Sequence, residues 1–187
     1  MKNKMIIITL ISLVGVLACG ITYYFVRNSV LLTFAVTFGT CFYHLGVRLA
    51  VGHGIDAIYH NNMNHDRWWF QGRKWEAKFY KIIGVQKWKK HLPTYTPEAY
   101  DVKKHSIEEI IQATCQSEVV HEINMLLSFV PVIFTIWFNS LVAFIVTSAL
   151  AFCFDGIFVI IQRYNRPRLR RINKLIKNSE LRIKNAE

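Results

Sequence analysis

Six ionisable side chains lie inside or at the ends of long apolar stretches of this sequence: His44, Arg48, Glu118, His121, Asp155 and Arg163. An ionisable group at membrane depth is costly, so each one is a hypothesis about function. Glu118 and His121 are three residues apart and therefore share one face of a helix. A carboxylate can orient an imidazole so that it takes a proton from a hydroxyl, as acyl transfer requires. The alternative interpretation is an ion pair at a hydrated helix end.

A second set of candidates follows the last apolar stretch, where Gln162, Arg163, Asn165 and Arg166 precede Pro167. Arginines at a cytoplasmic helix end can bind the phosphates of an acyl donor or of a lipid headgroup. The alternative is that they are anchors that reach into the interface. Asn165 favours binding, because an anchor does not need an amide, and Pro167 is expected to end the helix. His44 and Arg48 share one helix face and are also predicted to bind substrate.

Neither a metal site nor a disulfide is predicted. Metal sites in helical bundles that use a Glu-x-x-His motif need a second such motif, and none is evident. Asp155 is expected to form a structural ion pair with Arg48 or Arg163. Histidines and cysteines elsewhere show no metal-ligand spacing: His53, His60, His65, Cys19, Cys41, Cys115 and Cys153.

Four apolar stretches must position these residues: Met5–Val26, Ser29–Ala50, Ile123–Phe138 and Leu141–Ile161. About 20 apolar residues suffice to cross a bilayer as a helix. The third stretch is short and contains Pro131, so its helix is expected to begin earlier in the chain. The first stretch is interpreted as a retained helix, and the alternative is a cleaved signal peptide. The predicted fold is therefore an all-α polytopic membrane protein with about four transmembrane helices and amphipathic interfacial helices.

Charge sets the predicted orientation. Of the Lys and Arg residues, two precede the first stretch, ten lie between the second and third, and nine follow the fourth. The two short outer turns, Arg27-Asn28 and Asn139-Ser140, hold one arginine. The positive-inside rule then places both termini and the middle region in the cytoplasm. The net charge of +11 suggests anionic membrane lipid rather than nucleic acid, because the basic residues flank apolar stretches.

The chain is accordingly divided into four regions. Residues 1–51 form an N-terminal transmembrane hairpin, 52–122 a cytoplasmic or interfacial region, 123–162 a second hairpin and 163–187 a basic tail. Gly52-His53-Gly54 is expected to be a flexible joint between the first two regions. Ser106 and Glu109 form a predicted capping box that begins a helix.

One string in this sequence resembles a known family signature. Residues 160–169 read IIQRYNRPRL and resemble the signature of the glycosyl-4,4'-diaponeurosporenoate acyltransferase family. The resemblance extends over roughly residues 65–172 and includes further blocks: Trp69-Phe70, Arg73 to Glu76, Tyr80, Trp88-Lys89, Leu92-Pro93, Thr114, Glu118, His121 and Pro131. Two positions depart from the family pattern, which usually has Asn at Asp155 and Pro at Ile157.

This resemblance implies an acyltransferase that moves a fatty acyl group onto a hydroxyl of a membrane-bound glycolipid or glycosylated isoprenoid. In this interpretation His121 is the general base and Glu118 orients it. Arg163, Asn165 and Arg166 bind the anionic donor or stabilise the oxyanion. No resident cofactor is expected, and the co-substrate is an acyl donor such as acyl-CoA or acyl carrier protein. The alternative is a non-catalytic membrane accessory protein that binds lipid or a partner enzyme.

Overall fold

The computed structural model describes residues 2–92, 96–138 and 141–185. Within these ranges the chain is helical and contains no strand. The α-helices, numbered in chain order, are α1 Lys2–Val26, α2 Ser29–Tyr59, α3 Lys74–Ile82, α4 Val85–Trp88, α5 Ile107–Leu127, α6 Thr135–Phe138 and α7 Leu141–Lys184. Short 3-10 helices lie at Trp68–Phe70, Lys89–His91, Pro97–Tyr100 and Val130–Phe134.

Four helical segments are long and apolar enough to cross a membrane: Lys2–Val26, Ser29–Tyr59, Ile107–Phe138 and Leu141–Lys184. The predicted number of spans is therefore confirmed. In α1 the buried residues are Thr9 and Ser12, while Leu10, Ile11 and Val14 are exposed. Each buried hydroxyl donates to the carbonyl four residues earlier, so neither is left unpaired. A helix with polar residues inside and apolar residues outside is suited to lipid rather than to water.

A two-residue turn joins the first two spans. Arg27 and Asn28 separate α1 from α2, and Arg27 has a positive φ of 56°. The Asn28 side chain accepts a hydrogen bond of 2.8 Å from the backbone N–H of Val30, which caps the start of α2. A Cβ atom at Gly15 would lie 2.6 Å from the Phe38 ring, so only glycine allows this close packing of α1 on α2. The second predicted outer turn, Asn139-Ser140, lies outside the described residues, as does Pro93.

The third span begins well before its apolar part, as expected. Ser106 and Glu109 form the predicted capping box: the Ser106 N–H donates to the Glu109 carboxylate at 2.7 Å, and the Glu109 N–H donates to the Ser106 hydroxyl at 3.2 Å. Helix α5 then runs to Leu127, and buried Pro131 lies in the 3-10 helix that follows. Thr114, Glu118 and His121 therefore lie on one uninterrupted helix.

The predicted joint at Gly52-His53-Gly54 is wrong, because α2 continues through it to Tyr59. Each glycine costs a helix only about 1 kcal/mol relative to alanine, which two neighbouring helical segments can offset. The helix ends instead where His60 and Asn61 adopt positive φ angles of 44° and 58°.

The prediction that Pro167 ends the fourth helix is also wrong, because α7 continues to Lys184. A proline inside a helix removes one backbone hydrogen bond and costs about 3 kcal/mol. Arginine side chains on both sides of Pro167 hold this part of the helix through hydrogen bonds to residues 65–76. These distant partners explain why the helix continues.

The chain divides into two compact units. The first comprises Met1–Gly54 and Val120–Gly156, and the second comprises Ile55–Val119 and Ile157–Glu187. The second unit contains a small hydrophobic core in which Met63, Phe70 and Cys115 are buried against Ile55 and Val119. Each unit joins segments that are distant in sequence, and the four regions predicted along the chain stay a prediction.

Candidate active site

The first unit contains a histidine–aspartate pair. Nδ1 of His121 on α5 lies 2.8 Å from Oδ1 of Asp155 on α7. Asp155 is completely buried, whereas the His121 side chain is 21% exposed. A carboxylate that accepts a hydrogen bond from Nδ1 selects the tautomer in which Nε2 carries the lone pair. Such a contact can orient the ring of a general base.

Arg48 holds the other oxygen of this carboxylate. Its guanidinium forms an ion pair with Oδ2 of Asp155, and also donates to the carbonyls of His44 at 2.6 Å and Ala151 at 3.3 Å. The predicted structural ion pair between Asp155 and Arg48 is therefore confirmed. This ion pair fixes the position of the carboxylate that contacts His121.

His44 precedes Arg48 by one helical turn on α2, and its ring carries a buried nitrogen. Its Nε2 atom has no hydrogen-bond partner among the described residues, and the same holds for Nε of Arg48. Buried polar atoms are normally paired, so such atoms mark places where a hydroxyl or a water molecule can bind. The roles of His44 and Arg48 in substrate binding stay predictions.

The second unit contains a different constellation centred on Glu118, which is completely buried. One Glu118 oxygen accepts a hydrogen bond of 2.6 Å from Arg163, and the other forms an ion pair with Arg166. Arg163 also donates to Oε1 of Glu76 at 2.7 and 3.1 Å. Glu118 is thus a shared anchor for two arginines. Glu118 and His121 fall in different units, so the predicted orientation of His121 by Glu118 stays a prediction.

Arg166 is only 2% exposed and uses its whole guanidinium within the second unit. Besides binding Glu118, it donates to the Thr114 hydroxyl at 3.0 Å, the Thr114 carbonyl at 3.1 Å and the Phe70 carbonyl at 3.3 Å. The guanidinium carbon also lies 5.1 Å from the centre of the Phe70 ring. Burying a guanidinium is tolerable only with this degree of pairing.

Glu76 and Tyr80 complete this network from α3. The Tyr80 hydroxyl donates to Oε2 of Glu76 at 3.1 Å. Burial and the adjacent Glu76 carboxylate raise the pKa of Tyr80 well above its usual range, so the hydroxyl stays protonated and donates. Both residues lie on the face of α3 opposite the exposed Trp75 and Phe79. The sequence alone does not predict the polar role of Glu76, and its only signal is a single acid among basic and aromatic neighbours.

Gln162 and Asn165 have partners of their own in this unit. Gln162 donates to the Ser117 hydroxyl at 3.1 Å, and Asn165 accepts a hydrogen bond of 2.7 Å from Lys89. The Lys89 ammonium also lies 4.7 Å from the centre of the Tyr164 ring. Burial, with a smaller effect of Arg168, lowers the pKa of Lys89. Lys89 is therefore a further cation beside the signature string.

A cavity of about 290 Å³ opens in the second unit. Its wall includes Arg163, Arg166, Arg170 and Glu76, with Phe70 and Pro167 supplying apolar surface. Two of the predicted binding residues therefore line one cavity. The described contacts give no role in this cavity to Asn165, which is engaged with Lys89.

Comparison with known proteins identifies one related family. The family model for glycosyl-4,4'-diaponeurosporenoate acyltransferase matches residues 66–175, which is more than half of the chain. No curated protein and no solved structure matches the chain.

Proposed function

Since this chain belongs to the glycosyl-4,4'-diaponeurosporenoate acyltransferase family, we propose that it moves a fatty acyl group onto a hydroxyl of a membrane-bound glycolipid or glycosylated isoprenoid. The family description supports acyltransferase chemistry, and carotenoid biosynthesis is one pathway in which such an acceptor arises. The acyl donor is a thioester such as acyl-CoA or acyl carrier protein. The observation that carries the proposal is the contact between His121 and buried Asp155.

In the proposed reaction the acceptor hydroxyl attacks the carbonyl carbon of the donor thioester. Its proton moves to Nε2 of His121 as the new carbon–oxygen bond forms. The carbon–sulfur bond then breaks, and the proton passes from His121 to the departing thiolate. The products are an ester and a free thiol, so His121 returns to its neutral state.

Asp155 and Arg48 support this step without contacting the reacting atoms. Asp155 holds Nδ1 and stabilises the positive charge that develops on the ring when Nε2 takes the proton. Arg48 binds the other oxygen of Asp155 and so holds the carboxylate in place. Both act as positioning residues for His121.

The setting is also suited to a lipid substrate. The outward faces of α1 and α2 are apolar, and His121 is partly exposed rather than sealed. In our proposal the chain is a multi-pass protein of the cell membrane, with both termini and the second unit in the cytoplasm where acyl thioesters occur. Arg163 and Arg166 line the cavity of the second unit. We propose that they keep this cavity accessible to the acyl donor.

The proposal is tested with membranes from cells that express the chain and from matched cells that do not. Both are incubated with a labelled palmitoyl thioester, and the lipid extracts are compared by mass spectrometry. We expect an acylated glycolipid only where the chain is present. Membranes that contain the chain but form no acylated product would favour the accessory role, in which the chain binds lipid or a partner enzyme.

A further inference from the structure

Arg170 differs from the other two arginines that line the cavity of the second unit. Arg163 is bound to the carboxylates of Glu76 and Glu118, and Arg166 is bound to that of Glu118. Arg170 instead donates to neutral oxygens, namely Oε1 of Gln71 at 2.5 Å and the carbonyl of His65. Its charge is therefore the one in the cavity wall that no described carboxylate binds directly.

The Arg170 side chain also has unused hydrogen-bonding capacity. Its Nε atom is buried and has no partner within residues 2–92, 96–138 and 141–185. A buried guanidinium N–H without an acceptor costs more than an exposed one, because it has lost its water. An anion that enters the cavity would supply both the missing acceptor and the missing charge.

The other charges near Arg170 do not replace such an anion. Glu108 accepts hydrogen bonds from His65 at 2.5 Å, from Asn173 at 2.5 Å and from Lys177 at 3.1 Å. Asp66 is 79% exposed and lies 3.2 Å from His65. Both carboxylates are engaged elsewhere or solvated, and neither lines the cavity.

The wall charges define the class of anion. The wall carries Arg163, Arg166, Arg170 and Glu76, and Glu118 binds the first two of these arginines, so this group of five side chains carries a net charge of +1. One singly charged anion balances this net charge. A phosphodiester has a single negative charge and two free oxygens for a guanidinium, and its two ester arms can occupy a cavity much larger than an isolated phosphate. Phe70 and Pro167 provide apolar surface for those arms.

We propose that this cavity binds one phosphodiester through Arg170. The group can come from a phospholipid headgroup or from the phosphopantetheine arm of an acyl carrier protein. The site does not depend on whether His121 catalyses acyl transfer.

Gln71→Glu is the most informative variant. It keeps the side-chain shape and places a carboxylate where the Gln71 oxygen now contacts Arg170. The free charge of the cavity is then neutralised from within, so we expect the variant to bind the anion more weakly. Arg170→Gln removes the charge directly, and Arg171→Gln is its matched control because Arg171 is exposed on the same helix.

Binding is measured on the full chain in maltoside micelles free of phospholipid. One arm titrates phosphatidylglycerol and counts retained lipid by native mass spectrometry. The other arm titrates palmitoyl acyl carrier protein against the apo carrier protein, which lacks the phosphopantetheine arm.

We expect one phosphodiester ligand per chain in at least one arm, and the arm that binds identifies the source. Gln71→Glu and Arg170→Gln should weaken binding about 10- to 100-fold, as for loss of a charge-assisted hydrogen bond. Arg171→Gln should bind like the wild type. The proposal is overturned if neither ligand binds, if Gln71→Glu binds normally, or if Arg171→Gln loses as much affinity as Arg170→Gln.

Discussion

The two units use the same kinds of charged side chain in opposite ways. In the first unit one buried carboxylate, Asp155, binds one arginine and one histidine. In the second unit two carboxylates, Glu76 and Glu118, bind arginines that have further backbone and hydroxyl acceptors. The first arrangement sets an imidazole ring beside one carboxylate, whereas the second pairs guanidiniums with two carboxylates.

This difference underlies the proposed division of roles between the two units. An imidazole can take and release a proton near neutral pH, so our proposal places proton transfer at His121 in the first unit. Arginine does not release its proton in proteins, so our proposal gives the network around Glu118 a part in structure and anion recognition.

The largest expected effect concerns the side of the membrane on which each region lies. A single cysteine introduced at Asn28 should react with an impermeant maleimide added outside the cell, because the turn between α1 and α2 is proposed to face outwards. Cysteines at Asn61 and Asn178 in the second unit should react only after the membrane is opened. The labelled fraction is measured by gel shift, and the parent chain supplies the background from its own four cysteines. External labelling at Asn61 would contradict a cytoplasmic second unit.

Glu118→Gln should have the largest effect on stability. It leaves Arg163 and Arg166 without the charge that they share, and breaking a buried ion pair from one side costs about 3–5 kcal/mol. Thermal unfolding in detergent should show a much lower Tm than for the wild type. Glu180→Gln, at an exposed position of α7, is the control. Equal Tm values for the two variants would show that the Glu118 network does not hold the second unit together.

Asp155→Asn should lower activity more than stability. The amide keeps the shape of Asp155 but loses the charge that stabilises a protonated His121, so we expect acyl transfer to fall about 10- to 100-fold. Asp66→Asn, at an exposed side chain, is the control. Unchanged transfer by Asp155→Asn would remove the aspartate from the proposed mechanism.

Tyr80→Phe should give the smallest effect. The variant loses the hydrogen bond to Glu76, which contributes about 1 kcal/mol to the free energy of unfolding. Because the folded pKa of Tyr80 is raised, its contribution is fully present below the unfolded value of 10.0 and decreases as the pH rises above it. Denaturation of both proteins at pH 8 should show the difference, with Tyr24→Phe as an exposed control. A Tm for Tyr80→Phe equal to that of the control would contradict a role for this bond.

The sequence predicts the spans well because a bilayer imposes a local requirement. Each apolar stretch can be recognised from residues that are adjacent in sequence. The capping box at Ser106 and Glu109 is local in the same sense. The two errors in helix ends, at residues 52–54 and at Pro167, have a common cause. In both places a local helix breaker is outweighed by interactions that a local pattern does not contain. Phe70, which binds Arg166, and His65, which binds Arg170, lie 96 and 105 residues earlier in the chain.

The candidate site could be predicted only in part for the same reason. His121 is conspicuous in the sequence because it is an ionisable group in an apolar stretch, and the Asp155–Arg48 pair follows from the same argument. The contact of His121 with Asp155 joins residues 34 positions apart on two helices, so spacing along one helix points to Glu118 instead. In the sequence, Glu76 and Arg170 resemble ordinary surface residues, because their partners become neighbours only in the folded chain.

The most direct test of the central claim is the rate of acyl transfer by His121→Ala. The measurement follows a labelled palmitoyl thioester into the lipid fraction, with the amount of each variant in the membrane checked by blot and its Tm checked in detergent. His53→Ala is the matched control, since His53 is an exposed histidine on α2. Loss of a general base lowers a rate about 100- to 10,000-fold, so we predict that loss for His121→Ala and the wild-type rate for His53→Ala. Transfer at the wild-type rate by His121→Ala, at equal amount and equal Tm, would contradict the account.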